Sequence, residues 1–330
     1  MGLAWQGLAG PGTAGTAWHG VARRGMAGQG EGNTFGGRDF MAKKAPLFDQ
    51  ETTMSMMSDV QANLQNYAPT VKQTMVVDGQ ARYVRWDFTK LNLPSLEILQ
   101  ITDIQFGHKQ CNVEKLQEYI NWVLAEPQRY VVLGGDLVDA GHAQSKGSPF
   151  EQIGDPQEEI WTFVKLIAPI RHRVLGYVGG NHERRGMATF GDLGRSIAAI
   201  LQIPYSPGKQ HLDIRFGQHD PFKITMHHSG PGGGATVGAV ANSLHRLMGQ
   251  SDSQLFLSGH LHQALTIPAS REVRDGKGGV KLIKVVGARG SSFLGYYGTY
   301  AEVIMSTTPQ DTLMPRVVLE KNGKWEVTLR

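Results

Sequence analysis

From about residue 95 onward, short apolar runs alternate with longer amphipathic segments, and this alternation constrains the fold more than any other feature. The runs "LEILQITD", "RYVVLGGD" and "RVLGYVGGN" have the apolar composition of buried strands. Between them, "VEKLQEYINWVLAE" and "PQEEIWTFVKLIAPI" have the spacing of amphipathic helices. The order strand, helix, strand, helix, strand predicts an α/β fold in which crossover helices pack on a sheet.

The second half of the chain continues this pattern. "FKITMHH" and "LFLSGH" are predicted strands, and a helix is predicted between them from about Val237 to Met248. Mostly strand-like segments follow to the C-terminus. We therefore expect residues 93–330 to form one α/β domain.

The first 92 residues differ in composition from this domain. Residues 1–40 are rich in glycine and alanine and have no hydrophobic period, which predicts a disordered extension or an artefact of an upstream start, with Met41 as the natural beginning. Residues 41–92 are predicted to form an N-terminal accessory segment, with a helix up to Tyr67 and a hairpin around Asp78-Gly79.

Charge and cysteine content narrow the class of protein. The net charge of +4, from 33 basic and 29 acidic residues, is too small to indicate nucleic acid by itself. Cys111 is the only cysteine, which favours a reducing compartment and predicts a cytoplasmic location. No apolar run reaches the roughly 18 residues of a membrane span, so no membrane partner is expected. The oligomeric state is left open.

Each predicted strand end carries side chains that can bind a metal ion or form hydrogen bonds. Ligand sites in open α/β sheets lie beyond the carboxyl ends of the strands, so these side chains should converge. Any one of them has a simpler explanation, such as a helix cap, a turn residue or a half-buried histidine. Five such endings in order are harder to explain in that way. They are Asp103 and Gln105, Asp136 and Asp139, Asn181 and His182, His227 and His228, and His260 and His262.

These motifs resemble those of the calcineurin-like metallophosphoesterase superfamily, whose pattern runs D-x-H, G-D-x-x-D, G-N-H-E, H, G-H-x-H. The resemblance covers roughly residues 96–290. It implies a four-layer α/β/β/α sandwich that holds two divalent metal ions. One ion would be bound by Asp103, Asp136 and His262, and the other by Asp136, Asn181, His227 and His260. Carboxylate, amide and imidazole ligands suit Mn, Fe, Zn or Ni ions.

One position departs from the family pattern. Gln105 stands where most relatives carry histidine, so it would bind the first ion through a weaker amide oxygen or not at all. His108, three residues further on, is an alternative ligand.

The resemblance also implies a function and a mechanism. The chain would be a metal-dependent hydrolase of phosphoester bonds, specifically a phosphodiesterase in which a metal-bound hydroxide attacks phosphorus. His182 matches the family's proton donor to the leaving oxygen, and Asp139 matches the carboxylate that orients it. Arg184 and His228 would contact the substrate. Asp139 has a helix or turn cap as its alternative role, and Arg184 a solvated surface position.

Two other functions stay open at this point. One is a DNA or RNA nuclease of the repair-exonuclease type. The other is a non-catalytic binding scaffold with the metallophosphoesterase fold, for which Gln105 is the only feature in favour. Retention of Asp136, Asn181, His260 and His262 argues against a scaffold.

Overall fold

The computed structural model of the protein describes residues 72–76, 81–141, 149–185, 187, 191–230, 234, 236–276, 278–303, 309 and 311–330. The chain divides into Met1–Gln50 and Glu51–Arg330, and all described residues belong to the second unit. The predicted extension 1–40 and the predicted helix up to Tyr67 lie outside the described residues.

Strands and helices alternate through the first half, and strands dominate the C-terminal part. The strands are β1 Lys72–Val76, β2 Tyr83–Asp87, β3 Ser95–Ile101, β4 Arg129–Leu133, β5 Val174–Val178, β6 Tyr205–Ser206, β7 Gln210–Arg215, β8 Phe222–Met226, β9 Leu255–Ser258, β10 Leu265–Arg274, β11 Val280–Arg289, β12 Pro315–Glu320 and β13 Trp325–Leu329. The helices are α1 Val113–Ala125, α2 Pro156–Ile167, α3 His182–Arg185, α4 Leu193–Leu201, α5 Val237–Met248 and α6 Tyr300–Val303. Two 3₁₀ helices cover Pro149–Glu151 and Ala168–Arg173.

The strands form two mixed sheets. One has seven strands in the order β1-β2-β7-β8-β9-β11-β10, and the other has six in the order β13-β12-β3-β4-β5-β6. Within the six-stranded sheet, β3, β4, β5 and β6 are parallel, as expected when helices connect consecutive strands. The predicted strands and helices between residues 95 and 181 are confirmed, as is the helix Val237–Met248.

Three apolar clusters separate four layers. The largest lies between the six-stranded sheet and helices α1, α2 and α4, and includes Leu133, Phe163 and Ile197. A second fills the space between the two sheets. A third packs α5 on the outer face of the seven-stranded sheet through Leu244 and Phe256. The predicted α/β/β/α sandwich is therefore confirmed.

Local signals in the sequence explain where the helices begin. Asn112 caps α1 by accepting a hydrogen bond from Lys115 N–H. Asp155, directly before Pro156, and Glu158 in the first turn form a reciprocal capping box at the start of α2. These caps fix the crossover helices between β3 and β4 and between β4 and β5, and so fix the direction in which the strand ends point.

The predicted N-terminal hairpin has both of its strands. β1 pairs antiparallel with β2, and the turn around Asp78 lies outside the described residues. β2 also pairs parallel with β7, so this hairpin extends the seven-stranded sheet. The boundaries at residues 40 and 92 stay predictions. Among the described residues, no helix is long and apolar enough to cross a bilayer.

Candidate metal centre

The predicted site residues follow strands whose backbones remain hydrogen-bonded beyond the strand ends. Asp103 N–H donates to Gly135 O at 2.9 Å, and Gln105 N–H donates to Asp136 O at 2.9 Å. In the other sheet, Gly259 N–H donates to His228 O at 2.7 Å. In each sheet, two of the motifs therefore lie side by side where neighbouring strands end.

The backbone at this edge adopts an unusual conformation. Left-handed φ angles, which cost about 1–2 kcal/mol each for residues with a Cβ atom, occur at five of the predicted ligands. These are Asp103 (52°), Gln105 (51°), Asp136 (51°), His260 (75°) and His262 (54°). Such strain collects at functional sites because the surrounding structure holds it in place.

Two motif glycines allow the loops to come this close. A Cβ atom on Gly180 would lie 2.0 Å from Oδ1 of Asp136, and one on Gly259 would lie 2.2 Å from Oδ2 of Asp103. Both contacts are impossible, so the glycines of "GGNH" and "SGHLH" are required by the approach of a carboxylate.

The first ligand group is formed by Asp136, His228 and His260, whose ligand atoms lie within 4.8 Å of one another. Nε2 of His228 is 3.0 Å from Oδ2 of Asp136 and 3.2 Å from Oδ1 of Asn181. Nδ1 of His228 is 2.8 Å from the carbonyl oxygen of Gly134, where it can donate a hydrogen bond. Nε2 is therefore the ring atom that faces the acidic group.

The two adjacent histidines, His227 and His228, occupy different positions relative to the three-residue group. His227, predicted as a ligand, is not part of the three-residue group, and its Nδ1 accepts a hydrogen bond from Gly230 N–H at 2.8 Å. His228, predicted to contact substrate, is buried and lies against Asp136. Successive residues of an extended chain point to opposite sides, so only one of the pair can face the centre.

A second set of predicted ligands lies around Asp103. Nε2 of His262 is 3.5 Å from Oδ1 of Asp103 and 3.0 Å from Nε2 of Gln105. The backbone N–H of His260 donates to both carboxylate oxygens of Asp103, at 2.9 and 3.0 Å. This donation links the second group to the first.

The electrostatics of both groups reflect burial and crowding of charge. Burial and the neighbouring Asp136 raise the pKa of Asp103 to about 7, although the charge of His228 opposes the rise. Burial lowers the pKa of His260 to about 4 and of His262 to about 3, which leaves both rings neutral at pH 7. For His228, burial lowers the pKa, but the charges of Asp136 and Asp103 outweigh it and raise the pKa to about 10.

A histidine–aspartate pair adjoins the first group. Nδ1 of His182 is 2.8 Å from Oδ1 of Asp139, and both side chains are buried. The Nη2 of Arg185 lies 2.5 Å from Nε2 of His182, and its Nη1 lies 3.5 Å from Oδ1 of Asp139. The backbone N–H of His182 donates to Oδ1 of Asp136 at 2.8 Å, which fixes the pair beside the ligand group.

Glu183 is a site residue that the sequence reasoning missed. Its fully buried carboxylate accepts hydrogen bonds from the backbone N–H groups of Asp136, Leu137 and Gly180, at 3.1, 2.8 and 2.9 Å. Tyr177 O–H donates to it as well, at 3.0 Å. Glu183 therefore ties the loop after β4 to the loop after β5, and its place in "GNHE" was the available signal.

Three further polar side chains lie near the centre, of which Glu159 and Arg289 are buried and Gln152 is partly buried. Oε2 of Glu159 on α2 accepts from Ala140 N–H at 2.8 Å, and burial raises the pKa of this carboxyl to about 8. Arg289 at the end of β11 is fully buried and donates to Ser258 Oγ at 2.8 Å. Gln152 donates to Asp139 Oδ2 at 2.6 Å. None of these three residues belongs to a motif that was recognised in the sequence.

The remaining candidates lie at the edge of the centre or outside it. Arg184 is exposed. His108 is buried, and its Nε2 lies 3.5 Å from Oε2 of Glu151. Burial raises the pKa of Cys111 to about 12, which makes its thiol a poor nucleophile at neutral pH.

The donor set fits divalent metal ions. Buried carboxylates and the neutral imidazoles of His260 and His262 lie close together, with the amide oxygen of Asn181 beside them. A bound cation would take the place of the proton that the raised pKa of His228 keeps on its ring. Oε1 of Gln105 is buried and has no hydrogen-bond partner among the described residues. A bound cation would remove the repulsion between Asp103 and Asp136 and give that oxygen a partner.

Comparison with known proteins found a matching family and similar solved structures. The sequence profile of the calcineurin-like phosphoesterase family matches residues 96–264. A comparison with curated proteins found no match. One similar solved structure is a protein serine/threonine phosphatase from Saccharomyces cerevisiae, at 10% identity and TM-score 0.36, covering 86% of this chain and 90% of that one. Another is the Haemophilus influenzae NAD nucleotidase, at 11% identity and TM-score 0.32, covering 71% of this chain and 49% of that one.

The chain belongs to the calcineurin-like phosphoesterase family. It is a phosphoric ester hydrolase of a metal-dependent family, so the binding-scaffold alternative is not supported.

Proposed function

We propose that the chain is a phosphodiesterase that binds two divalent ions. The observation that carries this proposal is the packing of Asp136, His228 and His260 into one ligand group beside the buried His182–Asp139 pair. The group offers negative charge and lone pairs for a cation, and the pair offers a proton donor.

Each ligand group would hold one ion. The first ion would bind to Asp136, Asn181, His228 and His260. The second would bind to Asp103, Gln105 and His262, with Asp136 shared between the two. His228 takes the role that the sequence assigned to His227, because Nε2 of His228 lies 3.0 Å from the Asp136 carboxylate.

When bound, a pair of divalent ions supplies positive charge for the phosphoryl oxygens and activates a water molecule. Mixed oxygen and nitrogen ligands suit Mn, Fe, Zn or Ni, and manganese is the ion to test first.

His182 would protonate the leaving oxygen from Nε2. Asp139, 2.8 Å from Nδ1, keeps the proton of the neutral ring on that nitrogen and stabilises the imidazolium form. Arg185 lies against Nε2, so it must move aside when the leaving oxygen takes that position. The negative charge of a phosphate group is a suitable alternative partner for its guanidinium.

A diester is favoured over a monoester by the limited supply of cationic side chains. Among the described arginines near the centre, Arg289 is fully buried, and Arg185 must leave His182 and Asp139 before it can bind a phosphate. Arg184 remains exposed and available to the substrate. A phosphodiester carries one negative charge rather than two and requires less compensation. A cytoplasmic location stays a prediction from the single cysteine.

The proposal is tested by metal analysis and hydrolysis with the purified chain and Asp136→Asn. The unmodified chain should bind two ions and should hydrolyse an aryl phosphodiester faster than the matching monoester or an oligonucleotide. Asp136→Asn should lose activity and bound metal, because this carboxylate is common to both ligand groups. Full turnover by the variant would contradict the metal centre. A preference for monoesters or oligonucleotides would contradict the substrate class alone.

A further inference from the structure

We propose that Gln152 is a positioning residue for the proton donor, because it fixes the carboxylate that orients His182. The inference rests on the proposed role of His182 as proton donor. It assigns a part in the reaction to a glutamine that lies outside every motif of the sequence.

His182 and Arg185 lie beside one carboxylate oxygen of Asp139, and Gln152 forms a hydrogen bond to the other. Oδ1 lies 2.8 Å from Nδ1 of His182, and Oδ2 accepts a hydrogen bond from Nε2 of Gln152 at 2.6 Å. Asp139 is only 1% exposed, so water does not compete for either oxygen. Nδ1 of His182 also lies 3.0 Å from the backbone carbonyl oxygen of Asp139. The hydrogen bond from Gln152 fixes the plane of the carboxylate, and this keeps Oδ1 beside the imidazole.

The backbone around Gln152 is fixed on both sides. Lys109 N–H donates to Glu151 O at 2.9 Å, and Ile153 N–H donates to Gly107 O at 2.8 Å. Gln152 itself forms an isolated antiparallel bridge with His108. The glutamine is therefore attached to the loop that follows Gln105, while its side chain reaches the loop that follows β4. A donor held in this way has little freedom to leave Asp139.

A neutral donor suits this position better than a charged one. Arg185 already lies 3.5 Å from Oδ1 of Asp139, and a second cation at position 152 would compete further with His182 for this negative charge. A glutamate there would repel the carboxylate. The carboxamide donates one strong hydrogen bond and leaves the charge for the imidazole. Loss of this donor leaves a buried carboxylate oxygen unpaired and allows Asp139 to turn away from His182.

Loss of Gln152 should affect proton donation and not metal binding. Gln152 is not among the ligand atoms of either metal group, so its loss should leave metal binding intact. A misoriented His182 should slow the reaction most where the leaving oxygen needs a proton. General acids contribute roughly 10²–10⁴ in rate, so a partial loss of orientation should cost about tenfold on the poorest leaving group and less than about twofold on the best.

The experiment compares Gln152→Leu, Gln152→Glu and the exposed control Gln117→Leu. Each is assayed with aryl phosphodiesters of increasing leaving-group pKa, with bound metal measured in parallel. His182→Ala provides the reference slope. Gln152→Leu should lower kcat progressively as the leaving group becomes poorer, with KM and metal content unchanged, and Gln152→Glu should do so more strongly. Gln117→Leu should match the unmodified chain.

A second readout does not depend on activity. The proton that His182 Nδ1 shares with Asp139 should give a strongly downfield NMR signal that Gln152→Leu shifts or broadens. Equal slowing of all substrates, loss of metal, or an unchanged slope together with an unchanged signal would overturn the role of Gln152.

If His182→Ala itself shows no dependence on the leaving group, the proposed proton donor is wrong. If His182→Ala shows a dependence on the leaving group and Gln152→Leu does not, the proposed function is retained and Gln152 has no part in positioning the proton donor. Should Gln152→Leu fail to fold, Gln152→Glu and Gln152→Asn decide by the same slope.

Discussion

Nε2 of His228 lies 3.0 Å from Oδ2 of Asp136, while the neighbouring His227 uses its Nδ1 to accept a hydrogen bond from Gly230. The chain therefore offers two adjacent histidines of which one is a candidate ligand and the other a loop residue. This arrangement provides a matched pair for mutagenesis.

We expect His228→Ala to lose one bound ion and to reduce kcat by at least about 100-fold, since an electrostatic group at a reaction centre is typically worth that much. His227→Ala should retain both ions and change kcat by less than about tenfold. Metal content by mass spectrometry and hydrolysis of an aryl phosphodiester check this. The reverse result would return the ligand role to His227, as the sequence motif indicated.

Gln105 provides a second prediction. Its Nε2 faces Nε2 of His262 at 3.0 Å, so the lone pair that an ion would need is engaged by an amide. Gln105→His should tighten the ion bound near Asp103 by about tenfold, because imidazole is a better ligand than an amide for late first-row metals. Gln105→Leu, the matched control, should bind that ion no better than the unmodified chain.

The three proteins are freed of metal with a chelator, and calorimetric titration then measures the difference in their affinity for the ion. Two equally tight sites that neither substitution affects would show that Gln105 is not a ligand. His108 would then be the next residue to test, although its Nε2 lies 3.5 Å from Glu151.

The dependence of stability on pH provides a third prediction. Burial raises the pKa of Glu159 to about 8, so the folded protein holds a proton that the unfolded chain releases near its ordinary pKa of about 4.5. Ionisation therefore destabilises the fold. The penalty is absent below about pH 4.5, grows as the pH rises, and is complete above about pH 8.

Glu159→Gln should remove this penalty. Its free energy of unfolding should fall less between pH 5 and pH 8 than that of the unmodified chain, as measured by urea denaturation at each pH. The exposed carboxylate Glu326 on β13 provides the control, and Glu326→Gln should leave the pH dependence unchanged. An identical pH dependence in all three proteins would show that Glu159 titrates normally.

The strands and helices from Ser95 to Val178 were predictable because their periodicity records which face is buried. The strand-end positions of Asp103, Asp136 and His260 were predictable for the same reason, since parallel strands share one carboxyl edge. Which of His227 and His228 faces the centre was not predictable from the sequence. It depends on the side to which each residue points after β8 ends at Met226.

Other features of the site have no local signal at all. Gln152 and Glu159 reach Asp139 and Ala140 from segments further along the chain, and only the tertiary fold brings them there. Arg289 is the largest fully buried side chain, although arginine is ordinarily a surface residue. Such positions are set by the packing of distant elements and not by neighbours in sequence.

The left-handed backbone at Asp103, Gln105, Asp136, His260 and His262 has an evolutionary consequence. Glycine adopts this conformation without steric cost. At each of these candidate ligand positions, glycine would therefore fit the backbone better than the residue that is present, although it could not bind a metal ion. Several kcal/mol of folding stability are thereby forgone, a large share of the roughly 5–15 kcal/mol that keeps a domain folded. A descendant released from selection for hydrolysis would gain stability by losing these side chains, and inactive members of such a lineage should melt at higher temperatures than their active parent.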